Sequence, residues 1–448
     1  MRRRPLLKGL GAGIITGALS GRGSAVQTEP GSEAWRLQTA VPVRSSPTVA
    51  NSTVYVGSDR LYAMDAASGD QQWQFDLRDL IRSSPTVANG TVYVGSVDRS
   101  LYAVDAASGD QQWQFETEDQ IRSSPTVVDD TVYVGSRDNY SYAVDAASGD
   151  QRWQLQTGGR VDSSPTVANG TVYVGSNDHS LYAVDAASGD QQWQFETQAA
   201  VRSSPTVADG TVYVGSRDNS LYAVDAVSGD QQWQFETGDF VLSSPTVADG
   251  TVYVGSKDNS LYAVDAASGT QQWRFGIEGE VNSSPTVADG TVYVGSRDNF
   301  LYAVDAASGT QQWGFGIEGE VNSSPTVADG IVYVGSRDNS LYAVEAEGTG
   351  SSAGSRARLR TLGHIGAAEN GSSGQTPAPT ASPTSTGTDR QSGESTPATS
   401  AASGEPSEST PATEEATAED GPGFGLLAAA GALGGGGYLL RQRASDDD

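Results

Sequence analysis

The sequence predicts an all-β chain whose main body is one eight-bladed β-propeller of four-stranded antiparallel blades. Three observations predict it. All eight tryptophans fall in one series, Trp35, Trp73, Trp113, Trp153, Trp193, Trp233, Trp273 and Trp313, with a first step of 38 residues and later steps of 40. Ser-Ser-Pro-Thr recurs eight times, from Ser45 to Ser323, and Tyr-Val-Gly-Ser eight times, from Tyr55 to Tyr333. The chain starts this pattern with a lone tryptophan strand and ends it one strand short. A fixed period of this length marks stacked supersecondary units that bury their faces on one another.

One unit, residues 83–115, shows how each strand arises. Ser83 to Ala88 reads as a short inner strand. Asn89-Gly90 supplies the two positive φ values of a tight hairpin turn. Thr91 to Ser96 is β-branched and alternating, a second strand. Val97 to Ser100 is a connection, and Leu101 to Ala106 a third strand. Ala107-Ser108-Gly109-Asp110 turns the chain into a fourth strand, Gln111 to Phe115. Apolar residues on both faces of such strands fit a blade packed between two others. In the first unit Tyr55 and Leu61 are two residues closer than Tyr93 and Leu101, which shortens one connection and spares the strands.

Ala34 to Gln38, around Trp35, is a fourth strand with no blade before it. Ser323 to Ala346 holds three strands with no tryptophan after them. The last blade is therefore completed by the N-terminal strand, which removes an exposed sheet edge. The propeller domain spans 33–347.

Composition narrows the chemistry. The chain has 448 residues and no cysteine, which excludes disulfides, thiolate metal sites and cysteine nucleophiles. His179 and His364 are the two histidines, no basis for a histidine zinc site or a catalytic triad. A net charge of −28 argues against nucleic acid and for a soluble, monomeric propeller.

Both ends read as addresses. Residues 1–25 combine Arg2-Arg3-Arg4, an apolar stretch from Gly9 to Leu19 and small residues up to Ala25, the order of an export signal peptide. The arginines with Leu6-Leu7-Lys8 resemble a twin-arginine signal, with Leu6 where phenylalanine is more usual. Residues 348–421 are rich in Ser, Thr, Pro, Ala, Gly and Glu, and such a stalk cannot bury a core. Residues 422–443 begin Pro422-Gly423-Phe424, continue as a short apolar, helix-length run and end in Arg441 and Arg443. That order resembles the Pro-Gly-Phe sorting signal of halophilic archaea, which implies replacement of the tail by a lipid anchor; a plain membrane span is the alternative. Either places the propeller on the outer face of the cell membrane, anchored at its C-terminus.

The pattern Ala-x-Asp-Ala-x-Ser-Gly-x-x-x-Trp, as in Ala103 to Trp113, resembles the tryptophan-docking motif of the pyrroloquinoline-quinone-type repeat. The resemblance covers residues 34–346, with Glu345 in place of the aspartate in the last unit. It implies that all eight tryptophans dock structurally on the neighbouring blade. It also raises a quinone-dependent oxidoreductase as an alternative. Such enzymes carry calcium ligands and a catalytic aspartate on long loops, and no connection within these units exceeds a few residues.

No catalytic, metal or cofactor-binding residue is assigned. Asp65, Asp105, Asp145, Asp185, Asp225, Asp265 and Asp305 lack the alternating ligands of a calcium loop and read as carboxylates accepting turn amides. Asn51, Asn89, Asn139, Asn169, Asn282, Asn322 and Asn370 open glycosylation sequons, several at turns.

The copies differ in two places: the connection between strands two and three, and the segment joining one blade to the next. In an antiparallel blade both emerge on the same face, and binding commonly sits on loops held by a rigid scaffold. On that face the residue before each Ser-Ser pair rims the channel: Arg44, Arg82, Arg122, Asp162, Arg202, Leu242, Asn282 and Asn322. Arg44, Arg82, Arg122 and Arg202 read as a rim for an anionic group or acidic peptide, or as local neutralisation of Asp79, Asp119 and Glu116. The leading reading is a surface-anchored scaffold for protein or ligand binding without catalysis. It resembles the eight-bladed lipoproteins of the bacterial outer-membrane barrel-assembly machine, which bind partners. A cell-wall or glycan-binding module is a further alternative, weakened by few exposed aromatics, chiefly Tyr140, Phe240 and Phe300.

Overall fold

A computed structural model describes residues 29–346. The export signal at 1–25, the stalk at 348–421, and the apolar tail at 422–443 with Pro422, Gly423 and Phe424 lie outside the described residues.

The described chain forms 32 strands in eight four-stranded antiparallel sheets, and no helix is present among the described residues. β1 (Glu33–Gln38) is followed by blade 1, made of β2 (Thr48–Ala50), β3 (Thr53–Gly57), β4 (Arg60–Asp65) and β5 (Gln71–Asp76). Six further blades repeat that order. Blade 8 consists of Thr326–Ala328, Ile331–Gly335 and Ser340–Glu345, and β1 pairs with its third strand. In that pair Trp35 stands opposite Ala343 and Leu37 opposite Leu341. Trp73 opposite Ala63 in blade 1 has the same register, down to the bulge beside it. The ring thus closes through the chain's two ends.

The hairpin turns follow the expected chemistry. Asn89 and Gly90 have φ of 50° and 74°. Asn51-Ser52 and Asp129-Asp130 adopt the same geometry without glycine, at residue types that tolerate it less readily than Gly. The connection in blade 1 is Ser58-Asp59, two residues where blade 2 has Ser96 to Arg99, so the deletion falls where expected.

Strand ends depart from expectation by one to three residues. The inner strand of blade 2 is Thr86–Ala88, because Ser83 spends its hydroxyl on Gly95 of its own blade, Ser84 and the Pro85 carbonyl bond to neighbouring blades, and proline has no N–H for a ladder. The second strand ends at Gly95, the third begins at Ser100 and ends at Asp105, and the fourth runs on to Glu116.

The core lies between blades. Tyr93, Leu101, Ala103 and Trp113 of blade 2 pack with Val132, Val134, Tyr142 and Val144 of blade 3 and with Ile121 from the joining segment. Burying one indole contributes about 4–6 kcal/mol by area, an upper bound. The glycine of Tyr-Val-Gly-Ser permits this packing: a Cβ on Gly95 would stand 2.2 Å from Ile121 Cγ2.

Candidate functional site

Two closed rings of hydrogen bonds define the axis. Ser46 N donates to Ser84 Oγ at 2.9 Å, Ser84 N to Ser124 Oγ, and so on around the molecule until Ser324 N donates to Ser46 Oγ at 2.9 Å. Thr48 Oγ1 donates to Pro85 O at 2.6 Å, and the series ends with Thr326 Oγ1 to Pro47 O at 2.6 Å. The first serine holds its own blade: Ser83 Oγ accepts from Gly95 N and donates to Gly95 O, both at 2.8 Å. Each residue of Ser-Ser-Pro-Thr therefore has a separate task, and every one of these polar groups is buried.

The tryptophans dock as the motif implies. Trp35, Trp73, Trp113, Trp153, Trp193, Trp233 and Trp273 donate Nε1 to an alanine carbonyl of the next blade, as Trp113 does to Ala146 O at 2.9 Å. A tyrosine hydroxyl joins most of them: Tyr93 also donates to Ala146 O. Trp313 docks by its ring against Gly31, while its Nε1 makes no hydrogen bond.

The repeated aspartates are turn residues. Asp105 Oδ1 accepts from Ala107 N at 3.0 Å and Ser108 N at 2.8 Å. The Ser108 amide, then that of Ala107, holds the Asp105 carboxyl below its ordinary value. Arg152 is the largest influence on Asp145, whose pKa falls to about 2.

The two variable connections do share a face. Arg137 N, between strands two and three of blade 3, donates to Gln120 O in the segment entering that blade, at 3.0 Å. The equivalent bond recurs from Val97 to Leu80 and from Arg297 to Glu280. A second aspartate series, not singled out from the sequence, clamps them. Asp138 accepts from Tyr142 Oη and from Glu118 N, both at 3.0 Å, and from Tyr140 N at 3.1 Å. Asp178, Asp218 and Asp258 take the same tyrosine and joining-segment partners. An aspartate four residues before the tyrosine of the third strand, as Asp138 stands before Tyr142, was the available signal.

The rim residues divide into unlike arcs. Arg44, Arg82, Arg122 and Arg202 are each half-buried beside the serine ring. Burial lowers the Arg122 pKa to about 10; Arg82, Arg137 and Arg44 add to that fall, and Asp162 opposes it. Arg122 Nε donates to Gln120 Oε1 at 3.0 Å. Arg202 stands apart, donating to Asn177 Oδ1 at 3.2 Å and lying 3.8 Å from Asp162 Oδ2. Asp79 and Asp119 each accept from the next backbone amide at 2.7 Å, and Glu116 accepts from Gln114.

On the opposite arc Arg297 bridges Glu280 at 2.7 Å and Glu320 at 2.9 Å, Arg337 pairs with Glu320 at 2.7 Å, and Lys257 reaches Glu280 at 3.6 Å. Asn282 and Asn322 spend Nδ2 on those glutamates, so the sequons there have their nitrogen engaged. Of the expected exposed aromatics, Phe240 is half-buried, with Arg217 over its ring at 4.7 Å and Lys257 at 5.7 Å. Phe300 stacks on Tyr302 and Tyr140 tilts against Tyr142. Among the described residues no group of three or more Asp, Glu or His converges as a metal ion requires.

These features define a closed eight-bladed propeller of tryptophan-docked repeats with one uniform and one individual face. The chain belongs to the family described as outer membrane protein assembly factor BamB, whose model matches residues 20–123, 102–208, 182–279 and 257–368. No curated protein sequence matches it. Among solved structures it is similar to BamB from Moraxella catarrhalis, with 18% identity, a TM-score of 0.62, and coverage of 70% of this chain and 99% of that one. The computationally designed Ika8 protein gives 16% identity, a TM-score of 0.65, and coverage of 70% and 100%. A europium-containing methanol dehydrogenase gives 16% identity, a TM-score of 0.59, and coverage of 67% and 84%. At these identities the likeness to solved structures is one of fold.

Proposed function

We propose that the protein is a binding scaffold without catalytic activity, exported and anchored at the outer face of the cell membrane, that engages a protein or ligand partner through its variable face. One observation carries this reading. Eight nearly identical frames hold connections that differ from blade to blade on one face, and in blades 3 to 6 an aspartate clamps the connection to the joining segment. A rigid frame with individual loops is how binding surfaces are commonly built. Family membership supports it, since the family's description is that of an assembly factor. The short connections also give little wall for a buried cofactor. Export and anchoring rest on the order of residues at the two ends.

Crosslinking on intact cells from single residues placed at Arg99, His179 and Phe300, with matched positions at Ala107 and Val227 on the uniform face, tests the reading. Capture of one defined partner from the first set alone is the expected outcome. Equal capture from both sets argues against it. A quinone absorption spectrum with dye reduction after reconstitution with quinone and calcium overturns it in favour of an oxidoreductase.

A further inference from the structure

The fold sorts the glycosylation sequons of the described residues into an open set and a closed set; Asn370 lies outside the described residues. Asn51, Asn89 and Asn169 take the first place of the hairpin turn between strands one and two in blades 1, 2 and 4. All three are exposed. Their turns stand on the uniform face, beside the repeated aspartate turns. Ala66 N donates to Ser52 O, Ala106 N to Gly90 O and Ala186 N to Gly170 O, each at 2.9 Å. Space at the tips is open: a Cβ added to Gly90 or Gly170 meets nothing within 4 Å. The sequon hydroxyl is reached from the surface too. Thr53, Thr91 and Thr171 donate Oγ1 to Gln72, Gln112 and Gln192 Oε1 at 3.1, 3.0 and 3.1 Å, and those glutamines are exposed side chains that can turn away.

The other set is closed. Asn139 is half-buried, and Ser141, two residues on, is 1% exposed with its hydroxyl buried. Asn282 and Asn322 donate Nδ2 to Glu280 at 3.3 Å and to Glu320 at 3.4 Å, with Oδ1 buried. Ser284 and Ser324, which complete those two sequons, are members of the closed serine ring. A sugar on Asn282 or Asn322 would break these bonds at the channel mouth.

Turn geometry alone does not call for asparagine at the open tips. Asp129, Asp209, Asp249, Asp289 and Asp329 hold the same place in the other five blades with φ of 45–48°, against 49–50° for Asn51, Asn89 and Asn169. Either residue type tolerates this left-handed backbone. The three asparagines differ from the five aspartates in chemistry: each presents a neutral amide nitrogen two residues before a threonine, the acceptor pattern for a sugar.

Resting on the reading of the chain as exported, we propose that Asn51, Asn89 and Asn169 are sites of N-linked glycosylation and that Asn139, Asn282 and Asn322 stay bare. The transfer joins Nδ2 to the anomeric carbon of a sugar activated on a phosphate or diphosphate. The bond from that carbon to the leaving oxygen breaks, Nδ2 loses one proton, and no oxidant or reductant takes part. The sugars gather on the uniform face at blades 1, 2 and 4 and leave the variable face open to its partner.

Glycopeptide mass mapping of the full chain, purified from the cells that make it, tests the sites. Carbohydrate is expected on the peptides of Asn51, Asn89 and Asn169 and absent from those of Asn139, Asn282 and Asn322. Asn89→Asp and Asn169→Asp each lose it at that position, with indole emission reporting an intact ring, because five blades already turn on aspartate. Asp209→Asn, ahead of Gly210 and Thr211, gains one modified position. Absence from two or more of the three, no gain in Asp209→Asn, or carbohydrate at Asn139, Asn282 or Asn322 overturns the proposal. Protease access to the propeller on intact cells scores export separately. Bare sites on an accessible propeller overturn the glycosylation alone, and bare sites on an inaccessible one sink both readings. Carbohydrate on an inaccessible propeller supports the sites and sinks the outer-face reading.

Discussion

Gly31 N donates to the carbonyl of Glu345 at 2.8 Å, the bond that Gly69 N makes to Asp65 O at 2.9 Å inside one continuous turn. Glu345 N in return donates to Ser32 O at 2.9 Å, as Asp65 N does to Asp70 O at 2.8 Å. The N-terminus therefore supplies the second half of a turn that the C-terminal strand begins. Gly31, with φ of 79°, also lies on the Trp313 ring, where an added Cβ would come within 3.2 Å of Cε3.

Removing residues 29–38 is expected to lower the melting temperature of the whole propeller in a single transition. The deletion exposes two blade faces and removes the indole of Trp35, worth about 4–6 kcal/mol by area as an upper bound. A peptide of residues 29–40 added in trans should recover part of the loss by mass action. A separate low-temperature transition, with the remaining blades unaffected, would refute closure through the termini.

Trp113 and Trp313 should respond differently to phenylalanine. Trp113→Phe leaves Ala146 O without its indole donor, whereas Trp313 Nε1 has no bond to lose. Urea unfolding should show Trp113→Phe as the more costly by about 1 kcal/mol. Equal costs would mean that the indole hydrogen bond contributes nothing to docking.

Breaking the serine ring at any member should cost a similar amount. Ser84→Ala orphans the buried amide of Ser46, and Ser46→Ala orphans that of Ser324. Each is expected to lose about 1–3 kcal/mol in chemical denaturation. A much smaller loss at Ser46 would show that the closing blade is held less firmly than the rest.

Acid should destabilise the ring through its turns. Asp65, Asp105, Asp145, Asp185, Asp225, Asp265 and Asp305 all titrate below their ordinary value in the folded chain. A depressed folded pKa means stability that is present above the unfolded value, about 3.9, and is lost as the folded value is passed on the way down. Denaturation midpoints should hold steady above about pH 5 and fall between about pH 4 and 2. Arg152→Gln should raise the Asp145 pKa from about 2, followed by carboxyl carbon NMR, because Arg152 is its largest influence.

The blade count, the four-strand order, the turn types and the lone first strand were all legible in the sequence. They depend on local chemistry repeated at a fixed period: Asn89-Gly90 must turn, and Thr91 to Gly95 must extend. The shared face of the variable connections was legible too, from strand parity alone. The places of Arg202 and of Ser46 were not. Position in the repeat grouped Arg202 with Arg44, Arg82 and Arg122, yet Asp162 and Asn177 from the neighbouring blade claim it. Ser46 stands in an ordinary strand-entry motif, and its partners Ser84 and Ser324 are 38 and 278 residues away. The chain alone thus specified each blade. The split turn at Gly31 and the separation of Arg202 from the other rim arginines arose only in the tertiary structure, because bonds between blades join residues that no local pattern connects.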